Sequence, residues 1–227
     1  MARRYEGKIG YFGEGGVETG REFFEVTVET DGTRTLRSFC EMDNVNLLRD
    51  VTYTVDKDFR AMDCFVRVSN EHKFVGSGWF HFTDTYAEGE SFTAADGRVS
   101  QKLPCNGRVK LFGTHPIVID IWKCVHVKAA DPGKLQVLDN CMNCSPVANG
   151  ASGPLLYQKS YNMYYQGKQK VTVAAGAFDC EYFHWDTGTG RTLQLYTAPG
   201  DWLPVRVVVP EAKRYYELLE LREVRKV

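Results

Sequence analysis

Residues 171–209, VTVAAGAFDCEYFHWDTGTGRTLQLYTAPGDWLPVRVVV, read as three consecutive strands joined by two tight turns. The first run puts Phe178, Cys180, Tyr182 and His184 on one face and Asp179, Glu181, Phe183 and Trp185 on the other, the two-residue period of a half-buried strand. Residues 186–191 turn the chain, with Gly188 and Gly190 supplying positive φ. The chain returns through 192–197, turns again at 198–201, and closes a meander whose last strand starts beside Pro204, where a missing N–H is tolerated.

The same rhythm runs upstream, where Arg4 to Phe12 starts a strand that the glycine-rich 13–16 breaks. Residues 20–42 form a hairpin about a turn at 30–33, with Phe24, Val26 and Val28 on one face and Leu36, Ser38, Cys40 and Met42 following on the return. Another run covers 49–55, and 61–103 gives four short strands separated by Ser-Asn, Ala-Glu-Gly and Asp-Gly turns. About seven strands therefore precede Pro104, at the spacing of a meander that curls into a barrel. Residues 105–157 differ in texture. HPIVIDIWKCVHVKA (115–129) suits either a buried strand or a helix, and the Pro-, Gly-, Asn- and Ser-rich 131–154 reads as an ordered loop or lid. The sheet restarts at 155–173, and 214–227 makes a final strand after a turn at 210–213.

The expected architecture is one mainly β domain over 1–227: a first meander at 1–104, a connecting lid at 105–157 and a second meander at 158–227. It is a strongly curved antiparallel sheet, an open β-barrel around a cavity with a helix or loop plug. With 43% hydrophobic and 25% charged residues, a sizeable core is available. A net charge of -1 without a Lys/Arg cluster argues against nucleic-acid binding. No run reaches the roughly 18 apolar residues of a membrane helix, and none suits a signal peptide, so a cytoplasmic protein without membrane insertion is expected. Seven cysteines, an odd number without scaffold spacing, read as buried thiols in a reducing compartment.

Residues 20–64 together with 174–209 resemble a group of bacterial half-barrel domains similar to the LolA/LolB lipoprotein carriers. The shared marks are the strand opening Gly176, Phe178, Asp179, the aromatic Tyr196 at the end of the next strand, and the restart Leu203 to Arg206. The resemblance implies a curved antiparallel sheet around an apolar cavity, plugged by a helix or loops, and carries over no catalytic residue. This sequence departs from the envelope members in its N-terminus, which argues against lipoprotein transport.

Chemistry then has to come from polar groups on apolar walls. His184 continues the Phe178–Tyr182 face and is the leading proton-transfer candidate, set against a core histidine bonded to backbone. His81 is ambiguous, since either Trp79 and His81 or Phe80 and Phe82 face inward. Asp120 lies between Ile119 and Ile121 in an apolar run with His115 and Trp122, where a carboxylate needs a partner. Tyr157, Tyr161, Tyr164, Tyr165, Tyr182 and Tyr196 offer phenolic donors to a ligand or serve simply as strand residues, and Trp79 and Trp122 offer rings. Arg49, Arg67 and Arg206, inside apolar strands, suit a carboxylate or merely a stem along the sheet. Cys124 and His126 with Cys141 and Cys144 have a spacing open to a structural zinc, with free thiols the commoner outcome. No nucleotide fingerprint occurs, and no cofactor is expected. These features point to a small hydrophobic molecule, aromatic or terpenoid or lipid-like, bound in the barrel and acted on by acid/base catalysis as in a lyase, isomerase or cyclase. The alternatives are a non-catalytic carrier or sensor, and an adaptor presenting an apolar sheet edge; a homodimer is compatible with each.

Overall fold

Alternating apolar residues carry the chain into β1 (Arg3–Phe12), β2 (Glu18–Val28), β3 (Arg34–Met42), β4 (Leu47–Val55), β5 (Ala61–Asn70), β6 (Lys73–Phe82), β7 (Tyr86–Thr93) and β8 (Gly97–Pro104). A short β9 (Leu111–Gly113) precedes helix α1 (Ile117–Trp122), which runs into a 3-10 turn at Lys123–His126. Then come β10 (Leu135–Asn143), β11 (Tyr157–Val173), β12 (Gly176–Asp186), β13 (Thr192–Ala198), β14 (Leu203–Val209) and β15 (Arg214–Arg225). The structure, a computed structural model, describes residues 2–147 and 152–225. Residues 148–151 of the expected lid lie outside that range.

Among the described residues all fifteen strands belong to one sheet, in the order β8-β7-β6-β5-β4-β3-β2-β1-β15-β14-β13-β12-β11-β10-β9. Every pairing is antiparallel except that of β9 with β10. Two meanders are joined where the first strand meets the last, with Phe12 opposite Tyr215. Two sequence expectations need correction. Eight strands, not seven, precede the connection, and 105–157 is no simple lid, because β9 and β10 extend the sheet and α1 fills its interior.

The sheet is not closed by hydrogen bonds, since β8 and β9 are its two edges. It is nonetheless rolled, because Phe80 and Phe82 of β6 meet Phe112 of β9, at the far end of the strand order, with ring centroids 4.8 and 5.1 Å apart. Gln101 of β8 exchanges two hydrogen bonds with the backbone of Leu156, which ties that edge to the start of β11. Apart from Asp120, which faces the interior cleft, every residue of 117–122 is apolar and buried, so the run is stable only inside. A helix of six residues has little stability of its own and owes its form to this packing. Val118, Ile119, Ile121 and Trp122 are fully buried, and Trp122 packs against Tyr53 and Phe59. At the end of the roll away from the N-terminus of α1, Asp201 in the β13–β14 turn accepts hydrogen bonds from Tyr5 at 2.6 Å and Arg3 at 3.0 Å.

One irregularity sets which residues face in. The register of β11 with β12 shifts between Tyr165 and Gly167, where Gly167 has φ +112°. Such a bulge changes the face that follows it. Before it, Tyr161, Met163 and Tyr165 point inward opposite Phe183 and Trp185. Beyond it, Val171, Val173 and Cys180 are buried on the opposite face. There the hairpin end leans over β14 and β15: Arg206 donates to the Thr172 carbonyl at 3.4 Å, and the Ala175 N–H donates to that of Leu218 at 3.3 Å.

Candidate functional site

Beside the N-terminal end of α1 the interior is not filled. A cleft of about 300 Å³ lies between the helix, β1, β4 and β11–β15. Its inner wall is built from strand residues that alternation turns inward: Tyr11 of β1, Arg49 of β4, Tyr161 of β11, Trp185 of β12 and Tyr216 of β15. The helix adds Ile117 and Asp120, the 3-10 turn adds Lys123, and the preceding loop adds His115.

The cleft floor is charged as well as apolar. Lys123, 1% exposed, pairs with Asp120 and lies with its Nζ 3.4 Å from the Trp185 ring centre and 4.6 Å from that of Tyr161. Burial pushes the Lys123 ammonium down in proton affinity, and Asp120 opposes that shift. Glu22 of β2 is fully buried and accepts from the Ile117 N–H at 2.7 Å and the Tyr11 hydroxyl at 3.0 Å. Desolvation raises its pKa to about 7, so a proton held there is exchangeable near neutrality. Arg49, 1% exposed, brings a buried guanidinium to the same cleft. His115 has φ +74°, a left-handed conformation that costs a β-carbon residue about 1 kcal/mol and is found where surrounding structure over-determines it.

Of the residues singled out from sequence, Asp120, His115 and Tyr161 come together here. The others do not. His184 is corrected to the opposite face of β12, because its neighbour Trp185 is the one that meets Lys123 inside. It bonds Tyr182, whose ring stacks on Tyr196 at 4.4 Å, so those two tyrosines are also turned away from the cleft. Burial lowers the His184 pKa. His81 and Trp79 stack on each other on the outer face of β6, while Phe80 and Phe82 occupy the interior. Trp122 is solid core, and Tyr165 donates to Glu181 at 2.7 Å and packs on Phe183. Cys124, His126, Cys141 and Cys144 do not converge: among the described residues no three His, Cys, Asp or Glu side chains are placed to hold a metal ion. Of the three arginines, Arg49 reaches the cleft, Arg206 bonds Glu217 at 2.6 Å, and Arg67 lies on the outer face.

Sequence reasoning passed over Glu22, Lys123 and Trp185. Glu22 sits between Arg21 and Phe23 in a run whose inward face was read from Phe24 onward, and its place on that same face is the one signal that marks it. Trp185 shares the odd-numbered face of β12 with Asp179, Glu181 and Phe183, and it is this face, not that of Cys180 and His184, that turns inward at the cleft end of the strand. A second concavity, about 850 Å³ and shallow, lies on the outer face of β2–β8, where cross-strand neighbours Phe65 and Trp79 stand beside Phe92 and Arg67. Among the described residues the two sheet edges are not long apolar strands: β9 has three residues, and β8 alternates with Arg98 and Lys102 exposed.

No family model and no curated protein matches the chain. In fold it is similar to a β-barrel-like protein of the domain of unknown function DUF1849 from Brucella abortus, with 11% identity and a TM-score of 0.54 over 99% of this chain and 98% of that one. A candidate lipoprotein from Parabacteroides distasonis (9% identity, TM-score 0.33, 96% and 94% covered) is more distant. So is a candidate exported protein with a YmcC-like fold from Bacteroides fragilis (11%, 0.33, 96% and 95%). At 0.33 these two scores are too low to bear on this chain.

Proposed function

We propose that the chain binds a small hydrophobic molecule in the cleft beside α1 and moves a proton on it without a cofactor, as a lyase, isomerase or cyclase does. The observation that carries this reading is the meeting of Asp120, Lys123 and His115 with the Tyr161 and Trp185 rings around one hollow of about 300 Å³. Pockets of that size, mainly apolar with a few convergent polar groups, are where ligands are held. Asp120 and His115 would exchange the proton, Lys123 would hold Asp120 in place, and Trp185 would supply the apolar wall. The likeness to a LolA/LolB-type half-barrel enters at the same level, as support for an interior ligand. Six buried thiols among the seven cysteines suit the reducing compartment proposed here.

One observation favours a carrier instead: two of the four proton-handling candidates, His81 and His184, lie outside the cleft. Native mass spectrometry of protein purified from its own host reads the retained molecule directly. With that molecule in hand, Asp120→Asn should lower its turnover about 100-fold or more while retaining binding, and His184→Ala should leave both unchanged. Turnover that falls with His184→Ala but survives Asp120→Asn removes the proposal, and retention without turnover in any variant selects the carrier.

A further inference from the structure

The cleft carries more positive charge at its mouth than the interior can answer. Deep inside, two cations, Arg49 and Lys123, stand with two carboxyl groups, Glu22 and Asp120. At the mouth the lining side chains include Lys159, Arg191 and Arg214, all exposed, and Asp120 is the one carboxylate among all the described lining residues. Neighbouring cations on the same strands and turns are treated differently: Arg206 pairs with Glu217, Lys213 with Glu14, and Arg222 with Glu6. The three at the mouth meet no carboxylate within ion-pairing distance among the described residues. Further in, the Nε1 of Trp185 is buried and donates to no protein acceptor, so the wall presents a donor to whatever fills the hollow.

We propose that the ligand is an amphipathic carboxylate, its headgroup held at the mouth by Lys159, Arg191 and Arg214 and its apolar body lying inward against Ile117, Trp185 and Tyr216. This rests on the cleft being the ligand site. Arginine favours a carboxylate there because its planar fork matches two oxygens at once. With Lys123 answered by Asp120, the depth of the cleft is left to the tail, and the three mouth cations draw the anion by attraction that added salt weakens.

Calorimetric titration of the full chain at low salt with three probes of equal chain length, octanoate, octan-1-ol and octylamine, tests this. Octanoate should bind at least about tenfold more tightly than octan-1-ol, and the gap should close in molar salt. The double variant Arg191→Gln with Arg214→Gln, both at exposed positions where folding is not at stake, should remove most of octanoate's advantage and leave octan-1-ol unchanged. If octan-1-ol binds as tightly as octanoate, or octylamine binds more tightly, the anionic assignment falls and the cleft still stands as a ligand site. If none of the three binds, both fall.

Discussion

Glu22 shows how much one side chain can set. It is fully buried, joins β2 to the first N–H of α1, and titrates at about 7 because burial penalises its charged form. A carboxyl whose folded pKa lies above its unfolded 4.5 binds more protons when native than when unfolded. Its contribution is therefore greatest below about pH 4.5 and is lost as pH rises toward 7, an effect on the order of 3 kcal/mol for a lift of that size. Glu22→Gln, which keeps an acceptor for the Ile117 N–H, should remove that falling limb, and urea denaturation at pH 5 and pH 8 reads it. A wild-type stability unchanged between those two pH values would refute the assignment. Little of this was legible beforehand. Residue type and alternation place Glu22 on a strand face, but burial depends on α1, which arrives from nearly a hundred residues downstream. Asp120 was legible, because a carboxylate inside Ile-Asp-Ile must find a partner, and Lys123 one helical turn on is that partner.

Strands β6 and β7 illustrate the next scale. Phe80 is fully buried with its ring lying over two glycines, Gly78 on its own strand and Gly89 directly across on β7. A β-carbon at Gly89 would sit 2.6 and 2.8 Å from ring atoms of Phe80, which Phe112 blocks from behind at 4.8 Å. Gly89→Ala should cost about 1–3 kcal/mol by overpacking, measured as a lower denaturation midpoint with an unchanged slope. An equally stable variant would show that the ring moves freely. These strands and their turns were readable from alternation and from Asp-Gly-type signals. Their inward face was not, since Trp79–His81 and Phe80–Phe82 fit a two-residue period equally well. The same ambiguity recurs at Phe183–His184–Trp185, and in both tripeptides the flanking aromatics go in and the histidine goes out. The helix was undecidable for a related reason: a run of six residues, all apolar but Asp120, fits a buried strand as well as a buried helix.

For the whole molecule the decisive contact is β1 with β15, the pair that joins the two meanders. It closes a loop of nearly the entire chain, with Tyr11 against Tyr216, so its entropy is repaid only after both halves have ordered. Removing residues 214–227 should leave β1 and β14 as open edges and yield association instead of a soluble monomer, visible by light scattering with size exclusion. A monodisperse truncated chain with native-like circular dichroism would contradict this account.

The sequence by itself determined the strands and their turns, the mainly β class, and the burial of the run around Asp120, because alternation, turn chemistry and apolar content are local properties. Only the tertiary structure decided which face of each strand looks inward, where the bulge at Gly167 reverses β11, that Arg49, Lys123 and Trp185 gather around one hollow, and that Glu22 is buried against α1 beside it. A period of two divides a strand into two faces without naming the inner one. That choice belongs to the curvature of the sheet and to the helix it wraps.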